Sequence, residues 1–184
     1  NSGVVSITNN KHSFAALKND GSVITWGPLD ISNLANDASH NKGGNSSSVA
    51  LDLSEGVQSI SSHEYGFSAI KESDIISWGA YNNAPSINLE NISNDIQKTY
   101  TTKFAIAILK KNKTAFSWGS QSMGGGTFPI TDQLTDIKEV FSTDGAFAAL
   151  KENGSVLTWG HSFYGGEPTD DLSSNIKEIT ANHY

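Results

Sequence analysis

The apolar positions of this chain recur in a fixed order. A short segment alternating apolar and polar residues, Val4-Val5-Ser6-Ile7, is echoed by Val57-Gln58-Ser59-Ile60, Ile137-Lys138-Glu139-Val140 and Ile176-Lys177-Glu178-Ile179. Such alternation predicts a half-buried β-strand. Ten residues after each opening apolar position comes a denser apolar stretch, pairing Val4 with Phe14, Val57 with Phe67, Ile96 with Ile106 and Ile137 with Phe147. In Phe14-Ala15-Ala16-Leu17 and Val23-Ile24-Thr25-Trp26 both alternating sets are mostly apolar, which predicts strands covered on both faces. Asn19-Asp20-Gly21 and Glu152-Asn153-Gly154 separate the paired strands, and Asp-Gly and Asn-Gly are strong hairpin signals because the turn requires positive φ. Weaker fourth strands are expected at Ser48–Leu53 and Ser86–Leu89.

The pattern is an internal repeat. Trp-Gly closes each copy, at Trp26-Gly27, Trp78-Gly79, Trp118-Gly119 and Trp159-Gly160, and these are the 4 tryptophans of the chain. The first and fourth copies, HSFAALKNDGSVITWG and GAFAALKENGSVLTWG, agree at 11 of 16 positions. The second copy is one residue shorter in its turn, and the third lacks the turn glycine. The expected organisation is a single domain, 1–184, with repeats 4–56, 57–95, 96–136 and 137–175 and a partial unit 176–184 that supplies the first strand of a fifth. A unit of about 40 residues with three or four short strands cannot bury both faces alone, and radial stacking of such units solves this. The expected fold is therefore all-β, a β-propeller of antiparallel blades.

The pattern V-x-x-I…F-A-A-L-K-x-x-G-S-V-x-T-W-G resembles the repeat of the regulator of chromosome condensation family, over essentially the whole chain. It is most similar to the short bacterial version, whose Trp-Gly is followed by a Gly-Gly and Ser/Asp-rich tail, here Gly43-Gly44-Asn45-Ser46-Ser47-Ser48 and Tyr164-Gly165-Gly166-Glu167. That family spans a guanine-nucleotide exchange factor on chromatin, a propeller protein that inhibits β-lactamases and repeat arrays of bacterial surface proteins. The resemblance therefore specifies fold far more than function. Members usually close as seven blades, whereas four units and an orphan strand leave closure open. The chain is expected to be a piece of a larger bacterial secreted or cell-surface protein. Self-association to complete a ring, with the orphan strand from Ile176 as the join, and closure of four blades on themselves are the alternatives.

Composition narrows the chemistry. The chain has 184 residues, no Cys and a formal charge of -7, and its 12 basic residues are all Lys. No thiol nucleophile or Cys-ligated metal is available, and an acidic chain without Arg is poorly suited to nucleic acid. No apolar run is long enough for membrane insertion. There is no H-E-x-x-H, G-x-S-x-G or phosphate loop, so no enzyme and no cofactor are expected. Three histidines, His12, His63 and His183, occupy nearly equivalent repeat positions, but each belongs to a different unit, and no metal site is expected.

Strand direction gathers the loops after each first strand and after each Trp-Gly at one end of the blades. There they collect His12, Glu64, Tyr65, Tyr81, Phe104, His161, Phe163 and Tyr164, residue types that anchor interfaces. For the repeat-equivalent Tyr65 and Tyr184, with Phe104 one place away, interblade packing is an equal reading. Trp26, Trp78, Trp118, Trp159, Gly21 and Gly154 read as structural repeat positions. The functional expectation is a non-catalytic module that presents these loops to a protein partner. A lectin-like adhesin binding glycans and, by fold analogy alone, a guanine-nucleotide exchange factor are the alternatives.

Overall fold

The computed structural model describes residues 3–28, 42–80, 95–126, 131–167 and 172–182. The chain divides into two compact units, Asn1–Asn94 and Asp95–Tyr184, each holding two three-stranded antiparallel sheets in simple meander order. The first unit contains β1 (Val4–Asn9), β2 (Phe14–Lys18) and β3 (Val23–Trp26), then β4 (Ser59–His63), β5 (Gly66–Ile70) and β6 (Ile75–Gly79). The second contains β7 (Ile96–Thr101), β8 (Ala105–Lys110) and β9 (Ala115–Gly119), then β10 (Ile137–Ser142), β11 (Ala146–Lys151) and β12 (Val156–Gly160). The fold is all-β, and each sheet is one blade.

The hairpins form as their residues dictate. Gly21 and Gly154 have φ of +75° and +80°, and a Cβ on Gly21 would lie 2.6 Å from the Gly56 nitrogen. In the third blade Lys113 takes the same left-handed place at φ +65°, held by a shared Asx turn. The side-chain oxygens of Asp20, Asn112 and Asn153 each accept from the backbone N–H and the hydroxyl two residues on, those of Ser22, Thr114 and Ser155. The first strands carry a feature that simple alternation misses. The register of β1, β7 and β10 shifts after its first residue. This β-bulge puts apolar residues three apart on one face, so Ile137 and Val140 are both buried.

Within each unit the blades stack face to face. In the first, Ala15 and Leu17 pack with Phe67, Ala69 and Trp78, and Leu53 and Val57 close the edge. In the second, Ala105, Ala107 and Leu109 meet Val140, Phe147, Ala149 and Trp159. Each junction is tied by a tryptophan. Trp78 Nε1 donates to the Gly43 carbonyl at 3.0 Å, and Trp159 Nε1 donates to the Gly124 carbonyl and to Ser117 Oγ, both at 3.1 Å. A phenylalanine stacks beside each, Phe67 on Trp78 and Phe147 on Trp159, with centroids 5.3 Å apart. The third blade has Ile106 in that place, and Phe116 comes against Trp118 instead, at 5.6 Å.

Two expectations are corrected. Strands of the first blade are not covered on both faces: Phe14, Ile24 and Trp26 are 45, 54 and 43 % exposed, because the second sheet of the unit lies on the opposite face. Ser48–Leu53 is not a strand. Asn45 Oδ1 accepts the Ser47 N–H at 3.0 Å, a 3₁₀ turn follows over Ser47–Val49, and Leu53 turns into the core with its carbonyl on the Val23 N–H. The Ile176 N–H donates to the Gly154 carbonyl at 2.9 Å, and Ile176–Asn182 runs on without a ladder partner among the described residues. Ser86–Leu89 lies outside the described residues.

The buried and open tryptophans predict opposite sensitivities. Trp78→Ala should destabilise the chain by about 3–5 kcal/mol through cavity formation and the stranded Gly43 carbonyl. Trp26→Ala should cost only about 1 kcal/mol, the scale of its stacking on Phe14. Urea denaturation of the two variants checks this, and equal losses would contradict the packing described.

Candidate functional site

The first, third and fourth blades fix their loops with the residue that follows the first strand. Asn10 accepts the N–H groups of His12 and Ser13 at 2.8 and 2.7 Å through Oδ1 and donates through Nδ2 to the Lys42 carbonyl at 2.8 Å. Thr102 accepts the Phe104 N–H and donates to the Met123 carbonyl at 3.1 Å. Thr143 accepts the Ala146 N–H and donates to the Tyr164 carbonyl at 2.9 Å. One polar side chain thus staples the loop after the first strand to the loop after Trp-Gly. Sequence reasoning passed over these residues; the signal was a small polar residue ahead of each apolar second strand. The staples make the loop ends rigid platforms.

In the first unit this brings His12, Glu64 and Tyr65 together. His12 and Tyr65 stack at 5.4 Å, and the Lys42 ammonium sits 4.6 Å from the Tyr65 ring centroid. Lys42 is buried, and it went unnoticed in the sequence because it falls at the end of the long first insertion. Lys11 pairs with Glu64 at 2.7 Å. His12 Nε2 is buried with no hydrogen-bond partner among the described residues. Burial, then the Lys42 and Lys11 charges, hold the imidazole below its ordinary value of 6.5, with Glu64 pulling the other way. The Tyr65 ring thus packs against His12 and Lys42.

The second unit presents a different surface. His161 Nδ1 accepts the Phe163 N–H at 3.2 Å, starting a 3₁₀ turn over Ser162–Tyr164 that Gly165 ends at φ +92°. The turn throws Phe163 outward, 83 % exposed. Tyr164 packs edge-on between Phe163 and His161, at 5.3 and 5.6 Å. Its ring and Met123 both lie against Gly145, whose Cα has no room for a side chain. Beside it Lys103 pairs with the buried Asp144. The Phe104 ring is half-buried, while its carbonyl accepts the Ser120 N–H at 2.9 Å. A cavity of about 240 Å³ opens next to Tyr164, lined by Phe141, Ala148, Gly165 and the segment Ile179–Asn182 among others.

Tyr81, His183 and Tyr184 lie outside the described residues. Among the described residues no three potential metal ligands come together, and no helix is long and apolar enough to cross a membrane.

No family model matches the sequence, and no curated protein matches it. Solved structures do. Prp20p of Saccharomyces cerevisiae, from a study of its binding to Gsp1p and histones, aligns with TM-score 0.52 and 17% identity, over 95% of this chain and 50% of that one. Yeast RCC1 (Prp20) bound by Kap60 gives 0.55 and 16%, with the same coverages. The ectodomain of the Physcomitrella patens receptor kinase CR4 gives 0.52 and 14%, over 90% and 44%. The chain has an RCC1-like propeller fold. At these identities the likeness concerns fold alone, and the chain spans about half the length of the structures it matches.

The neutral form of His12 favours the folded chain. Its contribution is complete above the ordinary value of 6.5 and is lost as pH falls below it. Between about pH 7.5 and about pH 5 the wild type should therefore lose more stability than His12→Phe, which keeps the stacking without the titration. Denaturation midpoints of both proteins at the two pH values check this.

Proposed function

We propose that the chain, 1–184, is a non-catalytic interaction module that holds a protein partner on the loops at the ends of its blades. The observation that carries this reading is Phe163. A large aromatic side chain stands 83 % exposed on a turn fixed by His161 and backed by Tyr164, itself bound through Thr143. Exposing such a ring on a rigid platform has no benefit for folding, and rigid aromatic anchors are what binding hot spots use. Binding of Gsp1p and histones by Prp20p, and the Kap60 complex of yeast RCC1, support a protein partner. The repeat resemblance supports a bacterial secreted or surface setting, with the inhibitory propeller as a model for the mode of action. A glycan-binding array is less well supported, because the His12–Tyr65 cluster and the Phe163–Tyr164 turn are chemically unlike. Repeated sugar sites would look alike.

The test is a phage-displayed peptide library and a glycan array probed in parallel with the immobilised chain. Peptides should be selected and should lose about 10-fold or more in affinity on Phe163→Ala with Tyr164→Ala, the loss of about 1.4 kcal/mol or more expected of an aromatic anchor. Retained peptide binding in that double variant would place the site elsewhere, and glycan binding without peptide binding would favour the lectin reading. Release of fluorescent GDP from a small GTPase should not be accelerated; acceleration would favour the exchange-factor reading.

A further inference from the structure

The two described blade junctions share one lock. A glycine with left-handed φ, Gly43 at +92° or Gly124 at +94°, presents a bare Cα and a carbonyl. The phenylalanine of the next blade lies on the bare Cα so closely that a Cβ would come within 2.5 Å of the Phe67 ring or 2.7 Å of the Phe147 ring. The tryptophan of that blade donates to the glycine carbonyl, at 3.0 Å from Trp78 and 3.1 Å from Trp159.

The chain carries both halves of this lock once more, each unused. On the first blade Phe14 and Trp26 stack at 5.3 Å and 16°, the same arrangement as Phe67 on Trp78, yet they are 45 and 43 % exposed. The Trp26 indole N–H has no acceptor among the described residues. Exposed Val5 and Ile7 extend this surface, and contiguous apolar patches of this kind mark association sites. On the fourth blade Gly165 has φ +92°, and a Cβ there would meet nothing within 4 Å. Its surroundings are those of Gly43: Thr158 donates to the Gly166 carbonyl at 3.0 Å as Thr25 donates to that of Gly44 at 3.1 Å. The cavity of about 240 Å³ lies against this loop.

We propose that the Phe14–Trp26 face of one copy docks on the Gly165 loop of a second copy, head to tail. Phe14 would cover the Gly165 Cα, and Trp26 Nε1 would donate to the Gly165 carbonyl. A second copy is the occupant that supplies both halves of the lock with the spacing of the internal junctions. Two copies also supply the length of one Prp20p chain, of which this one covers 50%. The contact is heterologous, so the two surfaces differ and each molecule keeps one of each to offer. The segment from Ile176 reads I-K-E-I-T-A-N where β1 reads V-V-S-I-T-N-N, and it stands where a fifth blade's first strand would begin. Incoming β1, already paired with β2, displaces this unladdered segment.

Light scattering coupled to size-exclusion chromatography, over a concentration series, tests the proposal on the full chain. The wild type should rise from 19.6 kDa towards twice that mass or more. Trp26→Ala, which removes the donor side, and Ala148→Arg, which fills the acceptor cavity, should each stay monomeric. An equimolar mixture of the two should associate again, because one intact junction remains. Trp26→Phe, which keeps a ring but not the donor, should weaken association by roughly tenfold or less. Circular dichroism of each variant separates lost association from lost fold. A wild type that stays at 19.6 kDa throughout, a Trp26→Ala variant that associates as the wild type does, or a mixture of folded variants that stays monomeric would each overturn the proposal.

Discussion

The hydrogen bond from a tryptophan indole to a glycine carbonyl on the neighbouring blade is the constraint on which the rest depends. A three-stranded blade with apolar residues on both faces cannot bury both by itself and relies on its neighbours. It becomes stable only when a second sheet covers it, and faces of Ala, Leu and Ile would slide over one another with little preference. The indole N–H removes that freedom. Buried at the junction, it must find an acceptor, and the carbonyl offered by Gly43 or Gly124 meets it only in one register. The glycine has to be glycine twice over, since its φ is left-handed and the next blade's phenylalanine occupies the space of a side chain.

The same economy shapes the loop ends. Asn10, Thr102 and Thr143 each satisfy groups of two loops with one short side chain. The platform is common to these blades while its decoration varies. In the first unit the decoration is drawn inward: His12, Tyr65 and Lys42 consolidate one another by stacking and cation–π contact. In the second it is pushed outward, because the turn begun by His161 leaves Phe163 exposed, with Tyr164 packed perpendicular beside it. The loop after the first strand and the loop after Trp-Gly thus carry different decorations on the same scaffold.

Much of this was legible in the sequence where the cause was local. The Asn-Gly turns, the paired apolar strands and the Trp-Gly closures depend on residues within a dozen positions of each other, and they appear as read. The first strands were read half correctly. Val, Ile and their spacing were visible, but the bulge that puts Ile137 and Val140 on one face is a property of pairing with β11. The segment Ser48–Leu53 looked like a strand because its composition allows one, and lost that form to an Asx turn and to the demand of Val23 for the Leu53 carbonyl. Of the loop residues, Phe163 and Tyr164 could be singled out as aromatic and beside Gly-Gly. Lys42 could not, since its importance comes from a ring 23 positions away in the chain, Tyr65.

The sequence by itself determined the unit: three strands, their turns, the tryptophan and its glycine, repeated because each rests on short-range chemistry. Only the tertiary structure decided which copies of that unit are satisfied. Trp26 and Trp78 sit in nearly the same local sequence, yet one is 43 % exposed and the other 1 %. The difference lies in whether another sheet is stacked on that face. Burial is a relation between distant segments, and no window along the chain contains it.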